Sequence, residues 1–235
     1  MRHWPLKTSP SSPSLAGGRR LAPRLGRRLG RRLGQLYAGL VLYAVSMALV
    51  INSDLGNMPW DVFHQGLARR VGLTIGFWVI AIGLLILLAW IPLRERPGIG
   101  TVSNILVIGF LIDAALWAVP EPDHIVVRAA YLVAGIVLNG VATALYVGAR
   151  MGPGPRDGLM TGLVRRTGRS VRLVRTSMEV LVVVAGIALG GTFGVGTILY
   201  AVSIGPLVQI FLPRLTVAPA VLLPVTPSPA TTLAG

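Results

Sequence analysis

The chain has no cysteine. Disulfides and thiol catalysis are therefore excluded, while the compartment is left open. It has a single lysine, Lys7, so arginine carries nearly all of its positive charge. Acidic residues are scarce, 8 against 22 basic ones. Charged residues make up only 13% of the 235 positions, where soluble domains carry about a quarter. There is no Walker, Rossmann or metal-ligand pattern and no nucleophile–base set, so neither an enzyme nor a bound cofactor is expected. Apolar residues fill the space instead. They are 53% of the chain, mean hydropathy is +0.71, and apolar runs of about 17 residues or more recur. A soluble protein of this size could not cover so much apolar surface. The composition predicts an integral membrane protein.

The net charge of +14 sits in two places, before the first apolar run and between Arg150 and Arg175. Nucleic-acid binding is one reading of so basic a chain. The better one is that these arginines are cytoplasmic topology determinants that also meet anionic lipid heads. No nucleic-acid partner is expected.

Six apolar segments follow one another, at about Leu36–Ile51, Ile75–Leu93, Ile99–Val119, Ile125–Ala149, Leu173–Gly190 and Val195–Leu212. They divide the chain into a disordered basic cytoplasmic arm (1–34), a first membrane repeat (35–120), a second (121–213) and a disordered Pro-rich tail (214–235). Within the arm, Leu21, Leu25, Leu29 and Leu33 recur every four residues between arginines. That pattern also suits a basic helix lying on the membrane surface, although Gly26, Gly30 and Gly34 weaken it. The basic arm should stay in the cytoplasm, and six spans return the C terminus to the same side. The acidic loop Pro120 to His124 then lies outside and the Arg150 to Arg175 region inside. Only Arg69 and Arg70 fall on the wrong side.

Two stretches interrupt the apolar pattern with the same skeleton. "GNMPWDVFHQGLARRVG" (Gly56 to Gly72) and "GPGPRDGLMTGLVRRTG" (Gly152 to Gly168) both read G-x-x-P-x-D-x4-G-L-x-R-R-x-G. The offset is 96 residues. The same offset pairs Gly39 with Gly135, "GIGT" (Gly98 to Thr101) with "GVGT" (Gly194 to Thr197), and Ile108-Gly109 with Ile204-Gly205. No gap is needed, so the chain is an internal duplication. Each half holds three spans, an odd number, so the copies enter the membrane from opposite sides. The expected fold is an all-α membrane protein of six transmembrane helices in a 3+3 inverted repeat. The misplaced Arg69 and Arg70 follow: the motif was copied, and one copy had to face out.

The motif has a physical reading of its own. Gly56 and Gly152 free the backbone for a turn. Pro59 and Pro155 suit the first turn of a new helix. Asp61 and Asp157 then sit where a helix N-terminus favours negative charge. Trp60, Phe63, Leu67 and Val71 recur at helical spacing, as do Leu159, Leu163 and Val164 in part. Each half therefore carries a short amphipathic or re-entrant helix, too short to span. Paired Gly/Pro-broken segments in two halves point to a transport site. An interfacial connector is the competing reading, and Trp60 and the Arg pairs would suit it.

Other polar groups lie in the apolar runs. Asp113 is the main candidate, because a carboxylate within a membrane segment is costly. Asn52, Asn104, Asn139 and Gln209 are further ones. Glu179 should pair with Arg175, four residues earlier on one helix. His64 reads as ordinary packing. Gly98, Gly100, Gly194 and Gly196 read as close-packing contacts rather than a phosphate loop. The candidate binding set is thus Gly56, Pro59, Asp61, Gly152, Pro155, Asp157 and Asp113.

The stretches "LGNMPWDVFHQGLARRVGLTIG" and "GIGTVSNILVIGFLID" resemble the bacterial YczE/YyaS/YitT family of multi-span membrane proteins. The resemblance runs from about Gln35 to Leu212. Its most specific part is Leu55, Gly56, Pro59, Trp60 and Asp61; the second copy departs from it with Arg156 in place of Trp60. It implies a protein of the bacterial inner membrane and carries no substrate over. Two functions are expected to compete: a transporter-like protein for a small solute or ion, and an accessory factor that binds a partner protein. The oligomeric state is open.

Overall fold

Helix follows helix along the chain. The computed structural model describes residues 18–217, with side chains from residue 28 onward. Its elements are α1 (Gly18–Ser53), α2 (Pro59–Val71), α3 (Ile75–Leu93), α4 (Ile99–Ala118), α5 (Ile125–Gly148), α6 (Pro155–Thr167), α7 (Val171–Ala188) and α8 (Val195–Leu215), with no strand among the described residues. The arm expected to be disordered up to residue 34 is helical from Gly18 and runs unbroken into the first span. Its Leu/Arg repeat has helical period, and nothing crowds Gly30 or Gly34. Arg32 Nε closes the junction by donating to Ala149 O at 2.8 Å, at the C-terminal end of α5 where a cation is favoured. The expectations for residues 1–17 and for 218–235 lie outside the described residues.

Among the described residues, five helices are long and apolar enough to cross a membrane: α1 from Arg28, α3, α4, α5 and α8. The expected fifth span, α7, has 18 residues but carries Arg172, Arg175 and Glu179, and does not join that set. The outward faces are apolar on every long helix. Ile91, Phe110, Leu181 and Val202 are exposed, and Trp117 is 90% exposed. Surface of that kind needs lipid rather than water around it.

At the centre α1 crosses α5, and glycine sets the distance. A Cβ on Gly39 would stand 2.8 Å from Tyr146 N; one on Gly135 would stand 3.0 Å from Ser46 O. Leu36, Leu40, Met47, Ile136 and Ile112 fill the space around the crossing. Asn139, fully buried, donates to Ser46 Oγ at 2.8 Å and accepts from the Tyr200 hydroxyl at 2.9 Å. The polar groups of three helices thus satisfy one another, as they must away from water.

Contacts recur at the offset of 96. α4 packs on α1 as α8 packs on α5. The N-cap side chains Thr74 and Ser170 are twins and accept from Phe77 N–H and Leu173 N–H. Gly100 N–H donates to Met151 O, and Gly196 N–H to Leu55 O, both at 2.8 Å. The short helices are exchanged between halves: α2 packs on α7, and α6 packs on α3. The match is not complete. α3 and α4 are zipped together through Gly76, Gly83 and Gly109, whereas α7 and α8 lie apart.

Candidate functional site

The two duplicated helices begin as their sequences dictate. Pro59 and Pro155 open α2 and α6, Asp61 and Asp157 stand in the first turns, and Arg69, Arg70, Arg165 and Arg166 stand in the last. Left-handed Gly72 and Gly168 close both helices. The charges at each end suit the helix dipole. In α2, Pro59, Asp61, Val62, His64, Gln65 and Gly66 are buried, while Arg69 and Arg70 are exposed. In α6, Pro155, Gly158 and Gly162 are buried and the Arg pair is exposed.

The turns before these helices lock into the opposite half. Gly56 and Gly152 have φ of +117° and +130°, conformations that favour glycine. A Cβ on Gly56 would lie 2.6 Å from Gly194 N, and one on Gly152 would lie 3.0 Å from Gly98 Cα. The glycines of "GIGT" and "GVGT" are therefore close-packing contacts, seated against these turns. Thr101 Oγ1 adds a hydrogen bond to Pro153 O at 2.7 Å.

The N-termini of α2 and α6 converge on a cavity of about 410 Å³. Ligand sites commonly have such a volume. Every helix reaches it. Pro59 and Trp60 come from α2, and Pro155, Arg156 and Asp157 from α6. Tyr43, Tyr146 and Tyr200 come from α1, α5 and α8, Asn104 from α4 and Gln209 from α8. Arg175 and Glu179 of α7 face it as an ion pair, Nε to Oε1 at 3.1 Å, in the pairing their spacing predicted. Gly205, twin of the crowded Gly109, lines the cavity with nothing within 4 Å of where its Cβ would stand.

Trp60 and Arg156 are twin positions in the two copies, and they meet. The Arg156 guanidinium carbon lies 4.7 Å from the Trp60 ring centroid. The same guanidinium stands 4.0 Å from Asp61 Oδ1, whose side chain is 2% exposed. His64 Nδ1 lies 3.3 Å from that oxygen. His64 is therefore buried, as ordinary packing would have it, but beside a carboxylate. Asp157 accepts a long hydrogen bond from the Tyr146 hydroxyl, 3.4 Å, and makes no ion pair among the described residues.

Of the seven residues singled out by sequence, Pro59, Pro155 and Asp157 line the cavity. Asp61 stands behind Arg156. Gly56 and Gly152 shape the turns and are not lining residues. Asp113 is elsewhere: its Oδ1 accepts from Gly76 N–H at 2.9 Å, at the start of α3. Arg156 and the three tyrosines were not among the candidates. Arg156 had one signal, its departure from the motif; the tyrosines had none, because nothing local brings three helices together. Asn57 also escaped notice. It is fully buried, and neither side-chain polar atom has a partner among the described residues.

A protein family described as "Family of unknown function (DUF6198)" matches residues 30–213. An "Uncharacterized protein" of Haemophilus influenzae is 39% identical over 178 residues, 74% of this chain and 82% of that one. The "Uncharacterized membrane protein YczE" of Bacillus subtilis is 37% identical over 180 residues, 76% of this chain and 84% of its own. The "Uncharacterized protein YyaS" of the same organism is 28% identical over 179 residues, 74% and 89% of the two chains. No solved structure matches. The resemblance read from the Leu55 to Asp61 element is borne out by YczE and YyaS.

Proposed function

The chain belongs to the DUF6198 family, and from its geometry we propose a transporter-like protein of the bacterial inner membrane that binds a small solute between α2 and α6. One observation carries this reading: the duplicated helices, far apart in sequence, turn their N-termini onto one polar-lined cavity. Broken segments meeting between repeats are where secondary transporters hold their substrates. In this reading α7 completes the six spans as the fifth in order, with Arg175 and Glu179 turned to the cavity and Val180, Leu181 and Val184 turned to lipid. The halves form a 3+3 inverted repeat with both termini cytoplasmic, and the Arg clusters meet anionic lipid heads. α2 and α6 are re-entrant, dipping in from opposite faces with their Arg pairs at the surface. Asp61 and Asp157 supply the polarity of the site. The reading is non-enzymatic and uses no cofactor.

Alternation between two openings gives the asymmetry a purpose. With α3 and α4 packed together and α7 and α8 apart, this reading opens the cavity on the α7–α8 side. Exchanging the roles of the halves would open the other. The test is a solute-flux screen in proteoliposomes, with Asp61→Asn and Asp157→Asn variants beside the native chain. Uptake of a solute that both substitutions reduce is the expected result. Uptake indifferent to both would remove the assigned site. No uptake of any solute, together with a partner protein held stably by the native chain, would favour the accessory-factor reading.

A further inference from the structure

The charges around the cavity do not balance. Two guanidinium groups, Arg156 and Arg175, and two carboxylates, Asp157 and Glu179, line it, and a third carboxylate, Asp61, stands buried behind Arg156. Counting His64 as neutral, one negative charge is in excess. The pairing says where it resides. Arg175 is taken by Glu179 at 3.1 Å. Arg156 lies between Asp61 and the face of Trp60. Asp157 has only the hydroxyl of Tyr146, at 3.4 Å, as a polar side-chain partner among the described residues. Its side chain is exposed, and what it lines is the cavity.

Aromatic rings line the same cavity as this carboxylate. The Tyr146 hydroxyl turns toward Asp157 and the Tyr200 hydroxyl toward Asn139, so each ring keeps its faces for other contacts. Tyr43 stands edge-on to Tyr146, with ring centroids 6.1 Å apart. Met47, Met58, Met160 and Met178 complete a soft, polarizable lining. Aromatic rings and one carboxylate in a single cavity suit an ammonium with an apolar body. An anion is the poorer fit. Both arginines are engaged, and each helix N-terminus already has its own carboxylate.

We propose that the cavity takes a monovalent organic cation, with Asp157 as its counter-charge and Tyr43, Tyr146 and Tyr200 as its walls. This rests on the solute-site reading above and names the class of solute. The ammonium completes the ion pair that Asp157 lacks and brings the site to neutrality in a medium where net charge is costly. Arg156 on Trp60 already shows one cation held against an aromatic face of this cavity.

The test is equilibrium binding of labelled benzyltrimethylammonium to the purified full-length protein in detergent. Neopentylbenzene, its uncharged carbon isostere, and benzoate serve as competitors. Saturable binding that neither competitor displaces is expected. Asp157→Asn should weaken it by about tenfold or more, as loss of a desolvated charge partner does. Tyr200→Leu should weaken it by a few-fold, about what one cation–π contact gives. Asp157→Glu keeps the charge and should keep binding, which separates charge from folding; Asp113→Asn, away from the cavity, should leave it unchanged. Binding that survives Asp157→Asn overturns the proposal, as does displacement by the neutral isostere. Benzoate binding that requires Arg156 overturns it while leaving a solute site in place. If no probe of either charge binds, the proposal falls, and the flux screen decides the broader reading.

Discussion

Trp60 and Arg156 hold one position in the two copies, and that position is where the copies face each other. Two arginines there would repel, and two tryptophans would leave Asp61 without its cation. The mixed pair gives stacking and charge together. Arg156→Gln leaves Asp61 buried with His64 alone. The melting temperature in detergent should fall, by an amount at the low end of the roughly 3–5 kcal/mol that breaking a buried pair costs, since Arg156 is partly open to the cavity. The double variant Asp61→Asn with Arg156→Gln should recover part of the loss. A double variant no better than the single one would mean that the pair is not coupled. Asn57→Leu should be neutral or stabilising in the same melt, because the amide it removes is buried without partners. A large loss there would reveal a bond that Asn57 makes in the working protein. At this scale the sequence is legible where chemistry is local. Arg175 and Glu179, four apart on one helix, pair as their spacing requires. Asp113 was not legible, because its partner Gly76 N–H belongs to another helix whose register no local pattern reveals.

The elements were more readable than their packing. Gly, Pro, Asp and a closing Gly define α2 and α6 without tertiary help, and both helices run from the proline to the residue before the glycine. The exchange of α2 onto α7 and of α6 onto α3 was not readable, since no short-range pattern encodes which half receives a helix. α7 was read as a span from its apolar run, whereas two of the charges that keep it out of the long apolar set, Arg175 and Glu179, pair with each other and line a cavity formed with the other helices. The difference between α3–α4 and α7–α8 makes a prediction for twin glycines. Gly109→Ala puts a Cβ against Ile80 and should cost about 1–3 kcal/mol, the usual price of overpacking. Gly205→Ala meets open space and should melt with the native protein. Equal losses at both positions would show that α7 and α8 close as tightly as α3 and α4.

At the scale of the molecule, the duplication organises everything that follows. It explains why one turn geometry, one cap and one glycine seat each occur twice at an offset of 96. In the proposed inverted repeat it would also account for the side on which Arg69 and Arg70 fall. The membrane character was legible from composition, because apolar surface on this scale has no other solvent. Sidedness is a property of the protein in its membrane, and the absence of cysteine makes it accessible to single-cysteine labelling. Arg70 and Arg166 are exposed twins at the outer ends of α2 and α6. Each is changed singly to cysteine, and intact cells are treated with a membrane-impermeant maleimide before and after permeabilisation. An inverted repeat predicts that Arg70→Cys is labelled in intact cells and Arg166→Cys only after permeabilisation. Labelling of both variants from the same side would contradict it.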